Sequence, residues 1–233
     1  MMLAPDIDVR RVHAITGCGA TRGSLGCARA IAARRGPQRL SSQRSQVMRA
    51  NVSASADLVA RARSFATEAH ERIDQRRKYT QQPYREHLEA VAGLVAQVTD
   101  DPEMLAAAWL HDTVEDTPAT FGEIERAFGP AVRALVADLT DVSVPGDGNR
   151  AVRKAIDRQH TARASTRAKT IKLADLIDNC RDICAHDPRF ARVYLSEAAA
   201  LLEVLDAGDP GLYRQAQQAV ADCARRLDPP DLP

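Results

Sequence analysis

The sequence is poor in aromatic residues, in net charge and in long apolar runs. Phe, Trp and Tyr make up 4% of its 233 residues, which disfavours the stacking platforms on which single-stranded nucleic acids bind. Lys and Arg total 32 against 31 Asp and Glu, a formal net charge of +1, so any phosphate-binding site must be local. No run approaches the ~18 consecutive apolar residues of a membrane span. We therefore expect neither a nucleic-acid partner nor a membrane partner.

Cysteine is also sparse, and its spacing matches no common metal or redox motif. The five cysteines are odd in number and include no pair separated by two residues. Cys180 and Cys184 lie four residues apart in a predicted helix, where their side chains can touch. We interpret the pattern as reduced thiols of a cytoplasmic protein rather than as a metal or redox site.

The N-terminal part of the chain differs from the rest because it has almost no acids. Between Val9 and Ala56 there are nine arginines and no Asp or Glu, with Gly, Ser and Ala in the gaps. We predict that residues 1–50 form a disordered, functionally inert tail. Two alternatives stay open: an organelle-targeting segment, which has a similar composition, or an upstream stretch that precedes a true start at Met48.

From about residue 55 onward the chain shows no convincing strand pattern, and its apolar residues recur at helical spacing. Pro102 opens one helix, and Thr120 with Glu123 has the spacing of a capping box at the start of another. The stretch DVSVPGDGN, residues 141–149, is the one clear loop. The pattern predicts an all-α domain over residues 51–228, packed around one core. The main helices are predicted at about 56–70, 85–98, 102–116, 120–129, 130–140, 150–161, 166–184, 188–207 and 210–226.

Four acidic or metal-ligating side chains are crowded at the end of the apolar helix AAWLHDTVED. His111 and Asp112 lie one helical turn before Glu115 and Asp116, so that all four project from adjoining turns. Such groups repel one another unless a cation lies among them. Taken singly, each residue is more often a surface residue than part of a site, and only their combination favours a metal centre.

Two further residues can complete a coordination sphere. His87 lies at the edge of an apolar helical face, and Asp175 lies between apolar residues, where an unpaired acid is costly. Two imidazoles and two carboxylates form a mixed site suited to Mn²⁺, Fe²⁺, Zn²⁺ or Mg²⁺. A divalent ion in such a site promotes phosphoester hydrolysis, with Glu115 and Asp116 available to orient or deprotonate water.

Three motifs in this order resemble one known family. They are QRRK…PYREH, then AAWLHDTVEDT followed by FGEIERAFGPAVRALVADLT, and finally KLADLIDNCRDI. Together they resemble the hydrolase domain of RelA/SpoT-type proteins, above all the small stand-alone alarmone hydrolases. The resemblance covers about residues 56–206 and implies an HD-domain phosphohydrolase helical bundle over residues 51–228.

The resemblance implies a role for each matching residue. His87, His111, Asp112 and Asp175 match the metal ligands of the family, which usually hold manganese. Glu115 and Asp116 match the acidic pair that activates the attacking water. The matching substrate-side residues are Arg77 and Lys78 at the base and sugar, Asn179, and, more loosely, Arg150 and Tyr194 at a phosphate or sugar.

A basic segment precedes the last motif. Between Arg150 and Lys172 there are eight Lys or Arg and one acid, which suits a substrate with several phosphate groups. We retain Arg150, Lys169 and Lys172 as candidate substrate-binding residues. The alternative is a solvated basic helix.

The activity that the resemblance implies is removal of pyrophosphate from the ribose 3′ position of (p)ppGpp, giving GDP or GTP. The nucleotide is then the small-molecule partner, and a homo-oligomer is compatible with the sequence. Gln81 and Gln82 replace a glycine of the family in a loop that lines the base pocket, and Leu88 replaces a proline. Two alternatives therefore stay open: hydrolysis of (p)ppApp or of the 2′-phosphate of NADPH, and a non-catalytic nucleotide-binding HD domain.

Overall fold

The structure, a computed structural model, describes residues 38–227 as a succession of helices. Within these residues there is no β-strand, and one isolated backbone bridge joins Arg76 and Pro83. The prediction of an all-α domain is confirmed. The helices are α1 (Gln38–Glu71), α2 (Arg85–Ala96), α3 (Pro102–Leu110), α4 (Thr113–Asp116), α5 (Phe121–Phe128), α6 (Pro130–Leu139), α7 (Arg150–Arg163), α8 (Thr166–His186), α9 (Pro188–Leu202) and α10 (Pro210–Leu227).

Local sequence signals explain several helix boundaries. The Asp101 carboxylate accepts hydrogen bonds from the backbone N–H groups of Glu103 and Met104 at the start of α3, which satisfies donors that the helix leaves free. Thr120 and Glu123 form the predicted capping box at the start of α5. Gly129 then ends α5 with a φ of 89°, a conformation that suits glycine.

Helix α8 lies in the centre of the domain and packs against α2, α3, α6, α9 and α10. Its residues Ile171, Leu173 and Ile177 are completely buried. In α3 the short side chains at positions 106–108, all alanines, are also fully buried. Small residues let helix backbones approach closely, so the end of α3 lies deep in the core together with the middle of α8.

The predicted helix over 102–116 is interrupted at His111 and Asp112. Helix α3 ends at Leu110, and Asp112 has backbone angles of φ −96° and ψ −3° before the single turn of α4 begins at Thr113. Nothing in the residue pattern signals this break, because residues 103–117 include no glycine or proline. The interruption changes the direction in which the two consecutive side chains point.

A second, smaller apolar cluster lies where α10 meets α8. Cys184 and Cys223 are joined as a disulfide, and Cys180 is a buried free thiol beside them. Burial raises the pKa of Cys180 to about 11. The expectation of reduced thiols is wrong for the Cys184–Cys223 pair in this structure, because the fold of α10 onto α8 brings together residues far apart in sequence.

Of the predicted N-terminal tail, residues 1–50, positions 1–37 lie outside the residues that the structure describes. Helix α1 begins at Gln38, so the domain boundary predicted at residue 51 falls within a helix. Among residues 38–227, no helix is both long enough and apolar enough to cross a membrane.

The turn between α9 and α10 approaches α8 so closely that only glycine fits there. A Cβ atom on Gly208 would lie 2.7 Å from Leu173 Cδ1 and 3.2 Å from the backbone of Lys169. Gly208→Ala is therefore expected to lower the free energy of unfolding by about 1–3 kcal/mol, the usual cost of overpacking. Chemical denaturation measures the change.

Gly93→Ala is the matched control, because a Cβ at this exposed position of α2 meets no atom within 4 Å. Alanine is a better helix former than glycine, so this variant is expected to gain about 0.5–1 kcal/mol. Equal effects of the two substitutions would contradict the close approach at Gly208.

Candidate metal centre and adjoining cleft

Four helical segments bring the predicted metal ligands to one point. His87 lies in the first turn of α2, His111 follows the last residue of α3, Asp112 precedes α4, and Asp175 lies in the middle of α8. Both imidazoles and Asp175 are buried, and the Asp112 side chain is 17% exposed. The break between α3 and α4 allows two consecutive residues, His111 and Asp112, to face the same centre.

The Nε2 atoms of His87 and His111 lie close to each other and to the carboxylates of Asp112 and Asp175. The Nε2 atoms of His87 and His111 are 3.3 Å apart. From His87 Nε2, Asp112 Oδ2 lies at 3.5 Å and Asp175 Oδ1 at 3.4 Å. From His111 Nε2, the same two oxygens lie at 3.1 Å and 3.8 Å.

This donor set fits a divalent cation. Metal–ligand bonds of about 2.1 Å place neighbouring ligands about 3.0–3.4 Å apart, close to the observed separations. Two imidazole nitrogens and two carboxylate oxygens are a mixed set that suits Mn²⁺, Fe²⁺ or Zn²⁺. His87, His111 and Asp112 have ligand atoms that all lie within 4.8 Å of one another and could hold such an ion; Asp175 Oδ1, near both imidazoles, could complete the set.

The second nitrogen of each histidine is occupied by an acceptor. His87 Nδ1 lies 2.7 Å from Asp178 Oδ2, and His111 Nδ1 lies 2.9 Å from the carbonyl oxygen of Ala108. A carbonyl oxygen only accepts, so His111 must donate from Nδ1; in the neutral imidazole that a metal requires, the Nε2 lone pair then faces the centre. The same orientation of His87 is favoured by the Asp178 carboxylate.

Both carboxylate ligands are held by donors. The Tyr84 hydroxyl donates to Asp112 Oδ2 at 2.6 Å. Lys172 Nζ lies 3.0 Å from Asp175 Oδ2, and the Asn179 amide donates to Asp175 Oδ1 at 2.6 Å. The ligating oxygens are thereby oriented by side chains from α8 and from the start of α2.

The charges of the centre compensate one another. Burial by itself raises the pKa of Asp112 and Asp175, but His111 and Lys172 beside them hold both pKa values well below the ordinary range. Burial lowers the pKa of His111, yet the charge of Asp112 and its hydrogen bond outweigh burial and bring it to about 9. Ligands of opposite charge therefore stabilise each other in the interior.

Glu115 and Asp116 lie in α4, which directly follows Asp112, and both are exposed to solvent. Glu115 Oε2 accepts a hydrogen bond from the backbone N–H of Asp141 at 3.0 Å. Surrounding protein atoms displace much of its water, and together with the charge of Asp141 this raises the pKa of Glu115 to about 7. Displaced water and the charge of Asp112 also raise the pKa of Asp116. A carboxyl with a pKa near neutrality is suited to proton transfer.

A cleft of about 500 Å³ opens beside Asp175 between α7, α8 and α9. Asn179, Lys172, Arg150 and Tyr194, all predicted as substrate-binding, line it. Arg150 forms a two-pronged ion pair with Glu197, at 2.7 and 2.8 Å. The cleft thus combines several cations with nearby acids that hold them in place.

A second hollow of about 200 Å³ lies on the other side of His87 and shares Asn179 with the cleft. Arg77 and Lys78 line it, as predicted for the base side, together with Tyr79 and Phe190. The Lys78 ammonium lies 4.8 Å and 5.3 Å from the centroids of these two rings. Aromatic faces and a cation suit a flat heterocycle.

Arg77 and Lys169, both predicted to bind substrate, have surroundings that differ from that prediction. Arg77 is 10% exposed and is ion-paired with Asp178 at 2.7 Å and Asp182 at 3.1 Å, so its guanidinium already has partners. Lys169 is buried in α8, with its backbone against Gly208, and lines neither hollow. The structure brings the other predicted site residues to the centre or to one of the two hollows.

Four residues around the centre escape the sequence interpretation: Tyr84, Asp178, Lys154 and Gln75. Asp178 has a detectable signal, because it lies three residues after Asp175 and therefore on the same helical face. Lys154 lies within the basic segment, where no local feature distinguishes it from its neighbours; its Nζ is 2.8 Å from an Asp141 carboxylate oxygen. Tyr84 and Gln75 act through tertiary contacts, for which the sequence offers no local signal.

Residues 62–208 match the sequence profile described as HD domain. The chain belongs to the HD domain family. The matched segment of this HD domain includes every ligand of the candidate metal centre and all the residues that line both hollows.

Named relatives are similar to this HD domain over part of their length. The chain is 40% identical over 136 residues to the guanosine-3′,5′-bis(diphosphate) 3′-pyrophosphohydrolase MESH1 of Xenopus tropicalis, a match that covers 57% of this chain and 73% of that protein. Its identity to the protein of the same name from Drosophila melanogaster is 42% over 118 residues, 49% of this chain and 64% of that protein. The matches thus span about two thirds of these relatives.

A solved structure also resembles the HD domain. It is described as a metazoan ortholog of SpoT that hydrolyses ppGpp and plays a role in starvation responses. The two chains superpose with a TM-score of 0.63 at 32% identity, over 71% of this chain and 94% of the other.

Asp178 is expected to support metal binding through His87. Asp178→Ala leaves His87 Nδ1 without its acceptor, so we expect the Mn²⁺ affinity to fall about 10–100-fold, as for other residues that orient metal ligands. Titration calorimetry measures this directly.

Asp182→Ala is the matched control, because it also removes a partner of Arg77 but leaves the Asp178–His87 contact in place. It is expected to leave the affinity nearly unchanged. If both variants bind Mn²⁺ equally well, Asp178 does not orient His87.

The raised pKa of Glu115 predicts a pH-dependent stability in the metal-free protein. Because the folded state holds this proton up to about pH 7, against an ordinary pKa of 4.5, the free energy of unfolding falls as pH rises through that window. Glu115→Gln is expected to remove this part of the pH dependence. Denaturation in the presence of a chelator at several pH values measures it.

Glu123→Gln provides a comparison of opposite sign. The hydrogen bonds from Thr120 lower the pKa of Glu123, so its contribution is present above the unfolded pKa and is lost as pH falls. A Glu115→Gln variant with the pH dependence of the wild type would contradict the raised pKa.

Proposed function

We propose that this HD domain is a metal-dependent hydrolase that removes pyrophosphate from the ribose 3′ position of (p)ppGpp. The observation that carries the proposal is the position of the candidate metal centre between a cation-lined cleft and a hollow lined by aromatic rings. The named activity of the relatives at about 40% identity supports the same substrate. Water adds to the 3′-linked phosphorus, the bond from that phosphorus to the ribose 3′ oxygen breaks, and the 3′ oxygen takes up a proton; the products are GDP or GTP and pyrophosphate.

His87, His111, Asp112 and Asp175 would hold the cation, for which we propose Mn²⁺. A divalent ion bound there would lower the pKa of a water molecule and neutralise negative charge on the phosphate. The chain itself orients these ligands through donors and acceptors on α8 and at the start of α2, so that their geometry does not depend on the substrate. These orienting residues are Tyr84, Asp178, Lys172 and Asn179.

Glu115 and Asp116 are the proposed acid–base residues. Both side chains are exposed and follow Asp112 by one helical turn, and the pKa of Glu115, about 7, lets it accept a proton from water and return it within the same pH range. Asp116 is held by a donor on one oxygen, the Gln75 amide at 2.8 Å, which leaves its other oxygen available.

The cleft and the smaller hollow would each bind a different part of the substrate. We place the pyrophosphate in the cleft of about 500 Å³, where Arg150, Lys154 and Lys172 provide positive charge. The base then lies in the hollow of about 200 Å³, which Lys78 and the rings of Tyr79 and Phe190 line. Asn179 borders both, and so lies beside the ribose that connects the two parts.

Pyrophosphate release from ppGpp tests the proposal. Purified protein with Mn²⁺ is expected to release pyrophosphate, and chelation of the metal is expected to stop it. Glu115→Gln is expected to bind Mn²⁺ normally but to lose about 100-fold or more in kcat, the usual contribution of acid–base catalysis. His111→Ala is expected to lose both metal and activity.

Parallel assays with ppApp and NADPH distinguish the alternatives. Turnover of one of these without turnover of ppGpp assigns a different nucleotide to the same centre. Metal-loaded protein that binds ppGpp but leaves all three intact contradicts a hydrolase and favours a non-catalytic nucleotide-binding domain.

A further inference from the structure

A chain of two hydrogen bonds connects a buried histidine with Asp116. His70, in the last turn of α1, is 1% exposed, and its Nδ1 lies 2.6 Å from Gln75 Oε1. The amide nitrogen of Gln75 donates to Asp116 Oδ2 at 2.8 Å. His70 has no part in the reaction as proposed above, and Gln75 enters it only as the donor to Asp116.

The direction of both hydrogen bonds follows from the Asp116 carboxylate, which can only accept. The ionised Asp116 carboxylate has no hydrogen to donate, so the Gln75 NH₂ group must face it and the Gln75 oxygen must face His70. His70 therefore donates from Nδ1. Its Nε2 is buried without a partner, which suits a neutral imidazole, and burial lowers the pKa of His70.

The backbone of Gln75 is fixed as firmly as its side chain. Its N–H donates to the carbonyl oxygen of His70 at 3.0 Å, and its carbonyl oxygen accepts from the N–H of Tyr84 at 3.2 Å. Asp74, immediately before it, has a φ of 49°, a conformation that costs free energy in residues other than glycine. The turn is thus held in an uncommon conformation that points Gln75 at the site.

The same histidine also contacts the residue that holds a metal ligand. The rings of His70 and Tyr84 are stacked with centroids 4.8 Å apart, and the Tyr84 hydroxyl donates to Asp112 Oδ2 at 2.6 Å. One stacked pair of rings therefore supports both Asp112 and, through Gln75, Asp116. The relative position of these two carboxylates depends on that pair.

We propose that His70 and Gln75 are positioning residues that fix the carboxylate of Asp116 beside the metal centre. His70 sets the orientation of the Gln75 amide, and Gln75 holds Asp116 Oδ2 so that Oδ1 faces the reacting water. The assignment deepens the proposed function, on which it rests for the identity of the reaction. Neither residue contacts the substrate in this arrangement.

Four variants test the chain of hydrogen bonds. Gln75→Glu replaces the donor with an acceptor and sets two carboxylates against each other. His70→Leu removes the Nδ1 donor, whereas the amide of His70→Asn can replace it. Gln217→Glu is the control for the charge change, because Gln217 is exposed on α10, away from the site.

Steady-state hydrolysis of ppGpp is the first measurement. Gln75→Glu and His70→Leu are expected to lower kcat about 10–100-fold, with KM and Mn²⁺ affinity nearly unchanged, as for residues that orient a reacting group. His70→Asn is expected to restore most of the activity, and Gln217→Glu to match the wild type. Equal kcat values for wild type, Gln75→Glu and His70→Leu, at equal folded fraction, overturn the proposal.

A measurement without substrate separates this proposal from the proposed function. The carboxyl ¹³C resonance of Asp116 reports its titration in metal-free protein. Loss of the Gln75 donor is expected to raise the pKa of Asp116 in Gln75→Glu and His70→Leu but not in His70→Asn. An unchanged titration in all variants overturns the positioning role, whereas wild-type protein that leaves ppGpp intact overturns only the proposed reaction.

Discussion

The structure depends on burying two imidazoles together with two carboxylates, each of which lies within 4 Å of both imidazoles. Isolated charges in a protein interior are costly, and they persist only when every one of them is paired. Helix α8 provides most of the pairing, because Lys172, Asp178 and Asn179 each lie three or four residues from Asp175 and therefore near it on the helix surface. One rigid helix thereby carries a ligand, its cation, its amide donor and the acceptor for His87.

Most of the helices, and the candidate residues that meet at the centre, could be predicted from the sequence because both have local signals. Apolar spacing, the Thr120–Glu123 capping box and the charge crowding in HDTVED are all visible within a few residues. The break between α3 and α4 has no such signal, since the residues around His111 and Asp112 are compatible with a continuous helix. It results from tertiary packing, which requires both side chains to face Asp175.

The contacts that could not be predicted from the sequence have a common physical origin: each joins segments that are distant along the chain. The sequence assigns Arg77 to a base and sugar, but α8 presents Asp178 and Asp182 to it, and these ion pairs occupy its guanidinium. The pairing of Cys184 with Cys223 likewise requires the fold of α10 onto α8. In each case two distant segments meet, and neither segment alone contains the information about its partner.

Asp141 connects the candidate acid–base residue with the cleft. Its backbone N–H donates to Glu115, and its carboxylate is ion-paired with Lys154 at 2.8 Å. Exposed ion pairs contribute little stability, so a phosphate group with several charges can compete for Lys154, and likewise for Arg150 against Glu197. A ligand with a single charge gains less from the same cations. If the proposed roles hold, the paired cations favour highly charged phosphates, and Asp141 joins the proposed site of phosphate binding to the proposed site of proton transfer.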